Sequence, residues 1–178
     1  MRKKLLFLFV SFSTTVIFSG PLIYSAIVDK HRSGEGHRHG EEGHHHGHHK
    51  AHHGGVLNVI GRCETGHIEI RLEGDTLKAW LVGGGHDTGR SVPIKAQEIP
   101  LTVTVPGQGK RILVLKANPM KLGGEKVGHC SRFIAKADWL RDVKKFEARG
   151  ELVFKGIRHQ LLIKYPEGYD PMHGPGNH

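Results

Sequence analysis

Ten of the sixteen histidines in this chain fall between His31 and His53, the densest ligand-type cluster in its 178 residues. The tract carries His37, His39, His44, His45, His46, His48, His49, His52 and His53. Imidazole is a borderline ligand that suits zinc, copper and nickel, and with an unperturbed pKa of about 6.5 it is mostly neutral at neutral pH. Such density predicts multivalent capture of a divalent transition metal, with zinc or copper favoured and nickel allowed. If the tract coiled, His44, His48 and His52 would share one face and His45, His49 and His53 another, at the i, i+4 spacing by which paired imidazoles hold one ion. Gly40, Gly43 and Gly47 oppose a helix, each by about 1 kcal/mol. The expectation is therefore a disordered leash of ligands over residues 29–53. A merely hydrophilic spacer is the plainer alternative, and an expression tag does not suit histidines that are interrupted and internal.

Downstream, His67 and Glu69 alternate on one strand, on the same face and about 7 Å apart. A His and a carboxylate so placed can share an ion, or the carboxylate can orient the ring; a solvated polar face is the plainer account. Cys63 lies four residues before His67, and Cys130 directly follows His129. Outside a reducing compartment the two cysteines form the one intramolecular disulfide the chain allows, worth about 4 kcal/mol in the chain-entropy picture. That bridge would draw His67 and His129 together, within reach of His52 and His53. If the thiols stay reduced, the same cluster becomes a Cys and His site of the kind zinc or Cu(I) favours.

Other candidates are weaker. His86-Asp87 reads as a polar loop tip, and His159 shares a face with Leu161, Ile163 and Tyr165 as a packed side chain. Met120 and Met172 are too few for a thioether copper site, and His173 and His178 are placed for weak binding. No nucleophile elbow, no H-E-x-x-H helix and no phosphate loop is present, so a non-enzymatic role is expected.

The elements that must position these groups are short alternating runs divided by Gly, Pro and Asp. HIEIRLE turns through Gly74-Asp75 into TLKAWLV as a hairpin. EIPLTVTV, RILVLKA, SRFIAKA, FEARGELVF and IRHQLLIKY follow, with a helical turn capped by Asp138 over residues 137–145, between SRFIAKA and FEARGELVF. In the hairpin one face should be buried and the other wet. The pattern predicts an all-β domain over residues 54–166, a small antiparallel β-sandwich or barrel of about eight strands, followed by a flexible tail over 167–178.

Residues 2–4 are basic and residues 5–28 uncharged and apolar, close to the length of about 20 that spans a bilayer. The positive start predicts export of everything that follows. Cleavage as a signal peptide and retention as an inner-membrane anchor both stay open, because no A-x-A site ends the run. The formal charge of +9 is scattered among apolar residues without an RNA-binding signature, and no nucleic-acid partner is expected.

The segments HHGGVL, GHIEIRL, VPIKAQEIPLTV and SRFIAKADWL make the chain similar to a group of small exported bacterial proteins that join a His-rich segment to a β domain opening at H-G-G. It also loosely resembles the H-G-G segments of periplasmic heavy-metal efflux adaptors. The resemblance implies metal handling in the envelope, with a membrane metal transporter or efflux adaptor as partner, and matches His53, Gly54, Gly55, His67 and Glu69. Cys63 and Cys130 have no counterpart in that pattern. The expected function is an exported metal buffer, carrier or efflux accessory; a pH-responsive envelope interaction module is the alternative.

Overall fold

The computed structural model describes residues 49–172. The apolar segment 1–28, residues 29–48 with His37, His39, His44, His45, His46 and His48, and residues 173–178 lie outside the described residues. Among the described residues no helix is long and apolar enough to cross a membrane.

Eight strands form one sheet: β1 (Val56–Val59), β2 (His67–Glu73), β3 (Thr76–Val82), β4 (Glu98–Val105), β5 (Gly109–Ala117), β6 (Arg132–Lys136), β7 (Phe146–Phe154) and β8 (Ile157–Tyr165). Their spatial order is β1-β2-β3-β6-β5-β4-β7-β8, every neighbouring pair antiparallel. The expected all-β domain is present as a nearly closed, barrel-like sheet. Two short 3₁₀ turns, Lys121–Gly123 and Asp138–Leu140, are the helical elements described. Asp138 opens the second rather than capping it: Ala137 is the N-cap, without a side-chain bond.

Alternation makes the wall. In β4 the side chains of Ile99, Leu101, Val103 and Val105 point inward and the intervening ones outward, as a period of two requires. Ile68, Ile70, Leu115, Phe133, Phe154 and Ile163 meet them in one core.

Closure depends on a polar side chain. Asn58, fully buried, accepts the Lys164 N–H on its side-chain carbonyl at 2.8 Å, joining β1 to β8. The chain after β8 continues the seam: Val59 N–H donates to the Tyr169 carbonyl at 2.7 Å, and Tyr169 N–H to Leu57 at 3.3 Å. Tyr169 is thus paired and Asp170 is buried, within the stretch expected to be a loose tail. Two backbone bonds to β1 outweigh the local bias of Pro and Gly.

β2 departs from the expected half-wet strand. His67 and Glu69 are both fully buried. The registers Leu57↔Glu69↔Trp80 and Val59↔His67↔Val82 place these side chains on the outer face. There Leu57, Trp80 and Val82 form a second apolar cluster, with Ala51 packed on it. Residues 49–55 therefore lie over the outside of the barrel as a second layer.

Removing the seam acceptor leaves a buried N–H without its partner. Asn58→Ala is expected to cost about 1–3 kcal/mol, read as a lower urea midpoint with an unchanged m-value.

Candidate metal centre

Four of the hydrogen bonds that fasten the second layer converge on one carboxylate. Glu69 accepts the backbone N–H groups of His52 (3.1 Å), His53 (2.8 Å) and Gly55 (2.8 Å), and its Oε2 lies 2.8 Å from His53 Nδ1. The His53 ring stacks on Trp80, centroids 4.6 Å apart and planes 8° from parallel, and Arg71 donates to the His53 carbonyl. Both glycines of H-H-G-G are needed. Gly54 has φ +70°, and a Cβ on Gly55 would lie 2.5 Å from the Ile70 carbonyl oxygen.

This changes the roles assigned to three residues. Glu69 is saturated by the segment it holds, so it is not an open ligand beside His67. His53 is committed to Glu69 and Trp80, and His52 contributes its N–H to the same latch while its ring lies beside Gly89. The end of the expected disordered linker, residues 49–53, is anchored.

The latch delivers His49 to Cys63 and His67. Cys63 sits in the tight loop between β1 and β2, and His67 opens β2. Cys63 Sγ lies 2.9 Å from His49 Nε2 and 3.8 Å from His67 Nε2, and the three atoms fall within 4.8 Å of one another. A zinc ion with bonds of about 2.3 Å to sulfur and about 2.0 Å to nitrogen holds tetrahedral S and N ligands about 3.5 Å apart. Shifts of roughly 1.5 Å or less therefore bring all three to ligating distances.

Both rings are turned correctly. His49 Nδ1 donates to the Gly85 carbonyl at 2.6 Å and His67 Nδ1 to the Gly83 carbonyl at 3.0 Å, which puts the proton of each neutral ring on Nδ1 and aims Nε2 at the thiol. Carbonyl partners of this kind fix tautomer and ring orientation at metal sites. The glycine loop can come this close because it lacks side chains: a Cβ on Gly84 would lie 2.1 Å from the Glu64 carbonyl oxygen and 2.8 Å from that of Cys63. Gly85 N–H closes the contact by donating to Cys63 at 3.0 Å.

Cys63 is 7% exposed. Burial pushes its thiol up to about 11, and the negative charges of Asp170 and Glu64 push the same way. At neutral pH the metal-free site holds a protonated thiol, and a cation must displace that proton.

The Cys63-Cys130 bridge is not formed; both cysteines are free and buried. Cys130 Sγ instead donates to the Arg132 carbonyl at 2.9 Å, and its backbone pairs with Ile94. Without the bridge His129 is not drawn in: it is exposed, its backbone paired with Lys126. His86 is exposed beside the cluster, its ring 6.1 Å from that of His49. His159 is half-buried against Gly61. Sequence reasoning counted His49 among the tract ligands but missed its placement, and it missed the carbonyls of Gly83 and Gly85. The signal available was GGG, a run no hairpin turn requires.

No protein-family model, curated protein or solved structure matches this chain.

Two outcomes are expected. Glu69→Gln swaps one acceptor oxygen for an NH₂ facing N–H donors, so stability should fall by about 1.5–3 kcal/mol and deuterium exchange over 49–55 should accelerate. In metal-free protein, alkylation of Cys63 should keep rising from pH 9 toward about 11, whereas an ordinary thiol levels off near its own pKa of about 8.5. The sign for stability follows: the raised pKa makes the metal-free fold lose stability as pH climbs through that window.

Proposed function

We propose that this protein is an exported transition-metal-binding protein, a buffer, carrier or accessory to metal efflux, in which the histidine tract captures a cation and the Cys63 centre holds it. One observation carries the reading. Two imidazoles, each with Nδ1 tied to a carbonyl, turn Nε2 onto a single buried thiol. A packed histidine needs one satisfied nitrogen; two rings converging on one sulfur is the arrangement of a Cys-His₂ donor set, which zinc and copper favour.

Ligand type separates the two parts. The tract offers many imidazoles and a few carboxylates but no thiol, so it suits capture at moderate affinity. The centre offers a thiolate and fixed rings, so it suits retention. Export by the apolar N-terminal segment would place both outside the cytoplasm, tethered to the inner membrane if that segment is uncleaved and released to the periplasm if it is cut. A membrane metal transporter or efflux adaptor is the partner that such a carrier implies.

Deletions test the division, because His49 belongs to the folded site. The full chain, a form lacking residues 29–48 and a form lacking 29–51 are titrated with Co(II) and then zinc. The thiolate-to-cobalt charge-transfer band reports Cys63. The shorter deletion should lower stoichiometry and keep the band. The longer one, and Cys63→Ser in the full chain, should abolish it. Absence of the band in the full chain would refute the centre.

A further inference from the structure

Resting on that reading of the Cys63 centre, we infer that Asp170 is its buried counter-charge, which makes the site select a divalent cation over Cu(I). The backbone brings Asp170 there. Tyr169 pairs with β1, its carbonyl accepting the Val59 N–H. Val59 stands opposite His67 in the β1–β2 register. The residue after Tyr169 therefore arrives at the end of β1 from which the Cys63 loop departs. Asp170 is 2% exposed, and its Oδ1 accepts the Met172 N–H at 2.8 Å, which holds the carboxylate in place.

The charge of Asp170 is felt at the thiol, where it adds to the effect of burial. Glu64 also acts on Cys63 but is exposed, so water screens it. The oxygens of Asp170 lie outside the His49, Cys63 and His67 donor group. Its role is therefore a positioning and charge-balancing one.

Charge balance gives the selectivity. When a cation enters, Cys63 loses its proton and the buried site holds a thiolate, a carboxylate and two neutral imidazoles. A divalent ion brings this set to neutrality. Cu(I) leaves one net negative charge among buried groups, and an uncompensated buried charge is expensive. Thiolate softness alone favours Cu(I); the carboxylate opposes it without displacing a ligand.

The test uses the full chain loaded with Co(II), with zinc and Cu(I) each titrated in to bleach the thiolate-to-cobalt band. The two midpoints give a zinc-to-Cu(I) preference. Asp170→Asn is expected to weaken zinc about 10- to 100-fold and leave Cu(I) unchanged or stronger, while Asp170→Glu restores the preference. Asp170→Ser is a second neutral variant, should the asparagine form fail a circular-dichroism check of folding. An unchanged preference, or an equal loss for both ions, overturns the inference while the centre stands. A wild-type chain with no thiolate band would instead remove the centre itself.

Discussion

A carboxylate can be buried only where hydrogen-bond donors replace water, and Glu69 meets that condition with the chain segment that precedes the barrel. Three backbone N–H groups and the His53 ring converge on its two oxygens. The dependence runs both ways. Without Glu69 the H-H-G-G amides lose their acceptors on β2; without those amides Glu69 would be an unpaired buried charge. Everything outside the barrel wall follows from this exchange: Ala51 reaches the Leu57, Trp80 and Val82 cluster, and His49 reaches Cys63.

The glycine loop is the second half of the same construction. A thiol between two imidazoles can be satisfied in several ways, because each ring has two tautomers and can flip. The carbonyls of Gly83 and Gly85 remove that freedom by taking both Nδ1 protons. Only a loop without side chains can approach the 63–64 backbone this closely, as the contact at Gly84 requires. The wall supplies His67, the loop supplies orientation, and the latch supplies the second ring.

The barrel was legible because its signals are local. HIEIRLE with its Gly-Asp turn, the alternation of β4, and the long β7–β8 hairpin all state a period of two within single segments. Of the Cys and His cluster expected if the thiols stay reduced, the structure brings together Cys63 and His67, with His49 in place of His52, His53 and His129. What was hidden is pairwise and distant. Nothing in the tract distinguishes His49 from His48; the distinction comes from the count of residues back from Gly55, which Glu69 fixes in space. The role of Asn58 carries no local signal, because its partner Lys164 lies on the far edge of the sheet. The wet face assigned to β2 was wrong because a strand's outer side is judged from its own residues, whereas its cover comes from residues 49–55 and Trp80. The run AWLV, apolar on both faces, was the available warning.

The boundary between tract and barrel is therefore the informative part of the chain. A chain segment gains order only where contacts exceed its entropy cost of roughly 1–2 kcal/mol per residue, and residues 49–55 make such contacts with Glu69 and Cys63. A cation at Cys63 would add its binding free energy to the same segment, since His49 can ligate only when the latch is closed. By reciprocity, each contact that closes the latch would tighten such an ion. Glu69 would then shape affinity without touching the cation, and metal occupancy would be reported as the ordering of residues 49–55 over the barrel wall.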